Sequence, residues 1–114
     1  MPDVLKDLYE IVELRKAAKE EGSYTAYLFD AGIDKILKKL GEECAETIIS
    51  AKNFSAGEEE AREALANEAA DLIFHLTVML SELEVKPEEV EDVLRERMQK
   101  TGNLKPSHKT DKNT

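Results

Sequence analysis

Apolar residues recur at helical spacing along most of this chain, and the spacing predicts four helices. From Asp3 to about Glu20, Val4, Leu5, Leu8, Ile11, Val12 and Ala18 form one stripe, with Lys6, Asp7, Glu10, Glu13 and Arg15 off it. Asp3 suits an N-cap and Gly22 a stop. The stripe is expected to pack into the core, with a partner-binding face as the alternative. A second helix is predicted from Asp30 or Ala31 to Lys52. At about 100° per residue, its Ile33, Ile36, Leu37, Leu40, Cys44, Thr47, Ile48 and Ala51 share one broad apolar face. Asn53 to Gly57 break the pattern, and a third helix runs from about Glu58 to Leu83. Its segment Ala69 to Leu80 is apolar on nearly every side, the mark of a central buried helix. A fourth helix begins at Pro87, a favoured first helical residue, with Glu88 and Glu89 in its first turn. Val90, Val93, Leu94 and Met98 form its stripe, and Gly102 ends it. Between the first two helices, Ser23-Tyr24-Thr25-Ala26-Tyr27-Leu28-Phe29 lies between Gly22 and Gly32 and reads as a structured loop or short turn. Its rings can plug one end of a bundle, or with its hydroxyls they can hold a base or ribose.

The predicted fold is an all-α helical bundle, with two long central helices and two shorter outer ones, completed by dimerisation. A third helix with more apolar circumference than its neighbours can cover calls for burial against a second copy, hence a homodimer. Residues 1–102 form the domain, and 103–114 are expected to be a polar, disordered tail.

Two acidic clusters interrupt the pattern. Glu42, Glu43 and Glu46 fall within one arc of the second helix, where Lys39, Glu43, Glu46 and Ser50 make a stripe beside the apolar face. Glu42 points further away. A solvated surface carrying Lys38–Glu42 and Lys39–Glu43 pairs at i, i+4 accounts for this helix by itself. The third helix is different, because Glu68, Asp71 and His75 sit where hardly any polar face exists. Buried carboxylates without partners are rare and costly. An Asp71–His75 pair at i, i+4 would satisfy one and leave Glu68 unexplained. Acidic pairs at i, i+3 on two helices can face one another, and four converging carboxylates repel unless cations neutralise them. Oxygen-only ligands select a hard ion, Mg²⁺ or Mn²⁺. His75 is placed behind such a site rather than in it.

Composition narrows the class. A net charge of −9 argues against nucleic acid or an anionic membrane as the partner. It leaves a nucleotide substrate open, because metal ions can reverse the local sign. One cysteine supports neither a disulfide framework nor a thiolate zinc site. With no apolar leader and no run long enough to span a bilayer, a soluble cytoplasmic protein is expected.

The chain resembles the phosphoribosyl-ATP pyrophosphatase family, histidine-biosynthesis enzymes of the all-α nucleotide pyrophosphohydrolase superfamily. The superfamily's E-x-x-E and E-x-x-D occur as Glu43-x-x-Glu46 and Glu68-x-x-Asp71. The family's own stretches are matched by Leu8-Tyr9, by Glu21 to Leu28, by Lys35 to Glu43 and by Glu68 to Leu76. The resemblance covers roughly residues 5 to 100, and the Gly-Ser-Tyr-Thr segment and lysine-rich run set it apart from dUTP- and dCTP-cleaving relatives.

That resemblance implies hydrolysis of 1-(5-phosphoribosyl)-ATP to 1-(5-phosphoribosyl)-AMP and pyrophosphate with Mg²⁺. It implies Glu43, Glu46, Glu68 and Asp71 as metal ligands, and Glu42 as a holder of a further metal or a group that polarises the water. Lys35, Lys38 and Lys39 become candidates for phosphate contacts, with only Lys39 on the carboxylate stripe. Ser23, Tyr24, Thr25 and Tyr27 would face the nucleotide or its second ribose phosphate. Two alternatives stand beside this reading: another nucleoside triphosphate pyrophosphohydrolase of the same fold, and a non-catalytic helical interaction domain.

Overall fold

The computed structural model describes residues 3–18 and 20–101, so Gly102 and the expected 103–114 tail lie outside it. Among the described residues the chain is entirely helical: α1 (Val4–Ala18), α2 (Tyr24–Ala31), α3 (Ile33–Ser55), α4 (Ala61–Glu82) and α5 (Pro87–Thr101). The most extensive pairing is α3 with α4; α4 also packs on α1 and α2, and α1 touches α5. No described helix is long and apolar enough to cross a membrane.

Five helices replace the four expected, because the aromatic stretch is helical rather than a loop. The Ser23 hydroxyl accepts from the Ala26 amide at 3.2 Å and caps α2. Gly32 then ends it at φ 99°, a backbone angle open to glycine, and its amide bonds the Leu28 carbonyl. Two glycines within one short span concealed a two-turn helix between them. Its Leu28 and Phe29 join Val12, Ile36 and Val78 in the core, with Leu8, Phe74 and Met79 packed around. The rings of α2 thus divide, Phe29 inward and Tyr24 and Tyr27 outward.

Burial also departs from the periodicity. On α1, Val12 is buried while Val4, Leu5 and Ile11 are exposed. On α3, Ile36 is buried, whereas Leu37, Cys44, Ile48 and Ala51 of the expected apolar face are exposed. Ile36, Leu40 and Thr47 of that face are buried or half-buried, Thr47 reaches α4, and from the stripe beside it Glu43 is buried at 8% exposure. The α4 helix is not enclosed as its composition implies: His75, Thr77 and Val78 are buried, but Ile73 and Leu76 stand exposed. The physical reason is coverage, since α1, α2 and α3 flank α4 and α5 adds little. Ile73 and Leu76 instead line an apolar groove of about 180 Å³ with Leu5, Leu80, Val90 and Leu94, between α1, α4 and α5.

Candidate active site

Where α3 lies against α4, the two helices are latched by a threonine. The Thr47 hydroxyl lies 2.7 Å from the Glu43 carbonyl, one turn back on its own helix, and 3.2 Å from the Glu68 carbonyl on α4. That register sets the two acidic segments side by side. Glu43, Glu68 and Asp71 each offer a carboxylate oxygen, and these oxygens lie within 4.8 Å of one another. Nothing in the sequence distinguished Thr47 from its apolar neighbours, because its role depends on a carbonyl of another helix.

The cluster is electrostatically strained. Glu43 Oε2 and Glu68 Oε2 are buried without a hydrogen-bond partner, a condition that costs free energy. Burial pushes the Glu43 carboxyl up, and the charges of Glu46 and Asp71 add to the effect. Hydrogen bonding with Glu46 pushes Glu68 up to about 7, reinforced by burial and by the Glu46 charge. Glu46 is exposed and is not among the three residues whose oxygens converge, though its charge acts on both Glu43 and Glu68. Oxygen donors in this number, with orphaned lone pairs and no cation among their hydrogen-bond partners, fit a hard divalent ion.

The other candidates fall into place around the cluster. Glu42 is turned away from it and pairs with Lys39 at 2.8 Å, i to i+3, in place of the Lys38–Glu42 and Lys39–Glu43 pairs expected. The Lys39 ammonium lowers the Glu42 carboxyl. Lys35 and Lys38 contribute charge to the same region through Glu42. Asp71 is exposed rather than buried, and it makes no pair with His75. The His75 ring instead reaches the Asp71 backbone carbonyl through Nδ1 at 2.8 Å and the Tyr24 hydroxyl through Nε2 at 2.9 Å. Tyr24 and Tyr27 stack with centroids 6.2 Å apart. They remain 45% and 51% exposed, an open aromatic surface. Ser23 is occupied as the α2 cap, and Thr25 is half-buried behind it.

The arrangement is a cluster of carboxylates with Lys39 and Tyr24 close by, and comparison with known proteins gives the chain a family. Residues 5–98 match the family described as Phosphoribosyl-ATP pyrophosphohydrolase. A phosphoribosyl-ATP pyrophosphatase of Streptococcus thermophilus is 52% identical over 101 residues, spanning 89% of this chain and 91% of that protein. Similar proteins of the same name occur in Clostridium novyi, at 44% over 94% of this chain and 92% of the relative, and in Pelotomaculum thermopropionicum, at 48% over 86% and 94%. The chain belongs to the phosphoribosyl-ATP pyrophosphohydrolase family.

Proposed function

We propose that this chain hydrolyses 1-(5-phosphoribosyl)-ATP to 1-(5-phosphoribosyl)-AMP and pyrophosphate, as the names of its relatives indicate for them. The observation that carries the reading at the site is the convergence of Glu43, Glu68 and Asp71 oxygens, two of the three side chains holding a buried oxygen with no partner. Water adds across the anhydride bond between the α- and β-phosphorus atoms, and the β- and γ-phosphates leave together as pyrophosphate. No side-chain nucleophile is needed.

Glu43, Glu46, Glu68 and Asp71 would hold Mg²⁺. When bound, the ion supplies the positive charge that offsets the phosphate oxygens and activates water. The residues of the chain do the rest. Lys39, with Lys35 and Lys38 on the same helix, brings ammonium charge to the phosphates. Glu42, paired with Lys39, holds that ammonium near the carboxylates. Tyr24 and Tyr27 offer their faces to the base, with Ser23 and Thr25 beside them.

The working unit in this reading is a homodimer, supported by the exposed Ile73 and Leu76 and by the groove they line. Its setting is the cytoplasm, where the free Cys44 stays reduced. The deciding experiment measures pyrophosphate release from phosphoribosyl-ATP and from ordinary nucleoside triphosphates, with and without Mg²⁺. Mg²⁺-dependent release from phosphoribosyl-ATP in clear preference is expected. Equal or better cleavage of an ordinary triphosphate would transfer the chain to another substrate.

A further inference from the structure

Two rows of apolar residues on the α3–α4 hairpin are left without full cover among the described residues. On α3, Leu37, Gly41, Cys44, Ile48 and Ala51 follow one another at alternating steps of four and three, and all are exposed. On α4, Ala66, Ala69, Ile73, Leu76 and Leu80 keep the same steps and are exposed or half-buried. Such spacing is the straight seam of a helix that packs lengthwise against another helix. Counting about 100° per residue, each row lies roughly a quarter turn forward of the side where α3 and α4 meet. The helices are joined by the short link 56–60 and run antiparallel, so equal turns carry both rows to one face. On the same count Glu46 and Asp71 point to the opposite face, which leaves the carboxylates open.

The order of sizes along the rows says what covers them. Reversing the α3 row about Cys44 sets Leu37 against Ala51 and Gly41 against Ile48. Reversing the α4 row about Ile73 sets Ala66 against Leu80 and Ala69 against Leu76. Large meets small at every step, which is what two antiparallel copies need in order to interlock. Thr47 meets Glu68 across the hairpin, so Cys44 and Ile73 lie near one level and a single axis can pass beside both. Charge agrees, since the reversal brings Asp34 within about one turn of Lys52 of the second copy. Gly41 is an independent sign. It lies inside α3, where glycine is destabilising, yet a Cβ on it would meet no neighbouring atom of its own chain within 4 Å. We infer that two copies meet through this face, α3 on α3 and α4 on α4, about a two-fold axis beside Cys44 and Ile73. The inference rests on the homodimer reading above and supplies its surface, orientation and register. The groove lined by Ile73, Leu76 and Leu80 is continuous with that face.

Cys44 is the sole cysteine of the chain, so the native protein carries its own probe. Diamide should join Cys44 of one copy to Cys44 of the other, each thiol giving one electron and one proton as the reagent is reduced to its hydrazine. Most of the chain should then run at twice its mass on a non-reducing gel. Moving the thiol one turn, in Cys44→Ser with Ile48→Cys, sets the two backbones about 12 Å apart along the seam. A disulfide spans roughly 7 Å at most, so that variant should stay unlinked. An unlinked native protein overturns the inference, and so does equal linking of both forms, which is random collision. A packing swap tests α4. Ala69→Leu should weaken the dimer by roughly tenfold or more in Kd, the scale of one overpacked contact, and Leu76→Ala should do so by leaving a void. The two residues lie two turns apart on one helix, so they couple only through the second copy. Together they should recover most of the lost affinity, and additive losses would overturn the pairing. A dimer in sedimentation that fails both tests keeps the homodimer and removes this surface. A folded wild-type monomer refutes both.

Discussion

Thr47 on α3 touches the carbonyl of Glu68 on α4 at 3.2 Å, and through that contact the two acidic segments are held in register. Thr47→Val keeps the shape and removes the hydroxyl. The variant should lose about 1 kcal/mol of stability, the usual worth of one part-buried hydrogen bond. It should also bind Mg²⁺ more weakly, because the ligand helices are then free to slide. Urea melts and a metal titration measure the two effects. An unchanged Mg²⁺ affinity would show that packing alone sets the register.

Proton and metal should compete for Glu68. Its carboxyl is raised from 4.5 to about 7 in the folded chain, so the folded state binds the proton more tightly than the unfolded state. The resulting stability is fully present below pH 4.5 and is lost as the pH rises through about 7. In EDTA the protein should therefore melt higher at pH 5.5 than at pH 8. Glu68→Gln should flatten that difference, and the comparison cancels the contribution of titrating groups remote from Glu68. A variant with the wild-type pH slope would place the effect elsewhere.

Binding of Mg²⁺ should stabilise the fold by mass action, about 2.7 kcal/mol at one hundred times Kd. Asp71→Asn tests the ligand set. Activity should fall by orders of magnitude, because charge stabilisation carries most of phosphoryl-transfer catalysis. Apo stability should hold or rise, since Asp71 is one of the charges acting on Glu43. The thermal shift with Mg²⁺ should shrink. An active variant that melts early would remove Asp71 from the site.

The apolar groove makes a prediction about assembly. Sedimentation at low micromolar concentration should give a dimer for the wild type. Leu76→Glu should give a monomer of lower stability, because Leu76 is exposed in the isolated chain and would be covered in a dimer. A folded wild-type monomer would refute this assembly.

How far the molecule could be read from its residues depends on the range of the interaction concerned. Long helices were legible because their signal repeats: α3, α4 and α5 begin or end within a few residues of where spacing, Pro87 and the Asn53–Gly57 break put them. The α2 helix was hidden, since eight residues hold barely two turns and both flanking glycines read as loop. Its cap, Ser23, was present in the sequence but was weighed as a substrate contact. The acidic pairs were legible through i, i+3 spacing, yet which face of α3 they occupied was not. Period alone grouped Leu37, Cys44, Ile48 and Ala51 with Ile36, Leu40 and Thr47, while packing kept the latter three and added Glu43. A helix interface can bury a carboxylate where pattern rules place an apolar residue. The His75 hydrogen bonds were beyond reach altogether. Their partners are a backbone carbonyl and a tyrosine on another helix, neither of which a spacing rule can see.

The latch at Thr47 also bears on the order of folding. All the acidic groups of the site lie on α3 and α4, between Glu42 and Asp71, so the loop that must close to bring them together is short. Loop-closure entropy is then small, and contacts so near in sequence form early. The helical hairpin can thus acquire its charge cluster before α1 and α5 dock, at a stage when repulsion among the carboxylates opposes it. Mg²⁺ should accordingly speed refolding as well as slow unfolding. Thr47→Val should act mainly on the refolding rate, with a φ-value near one.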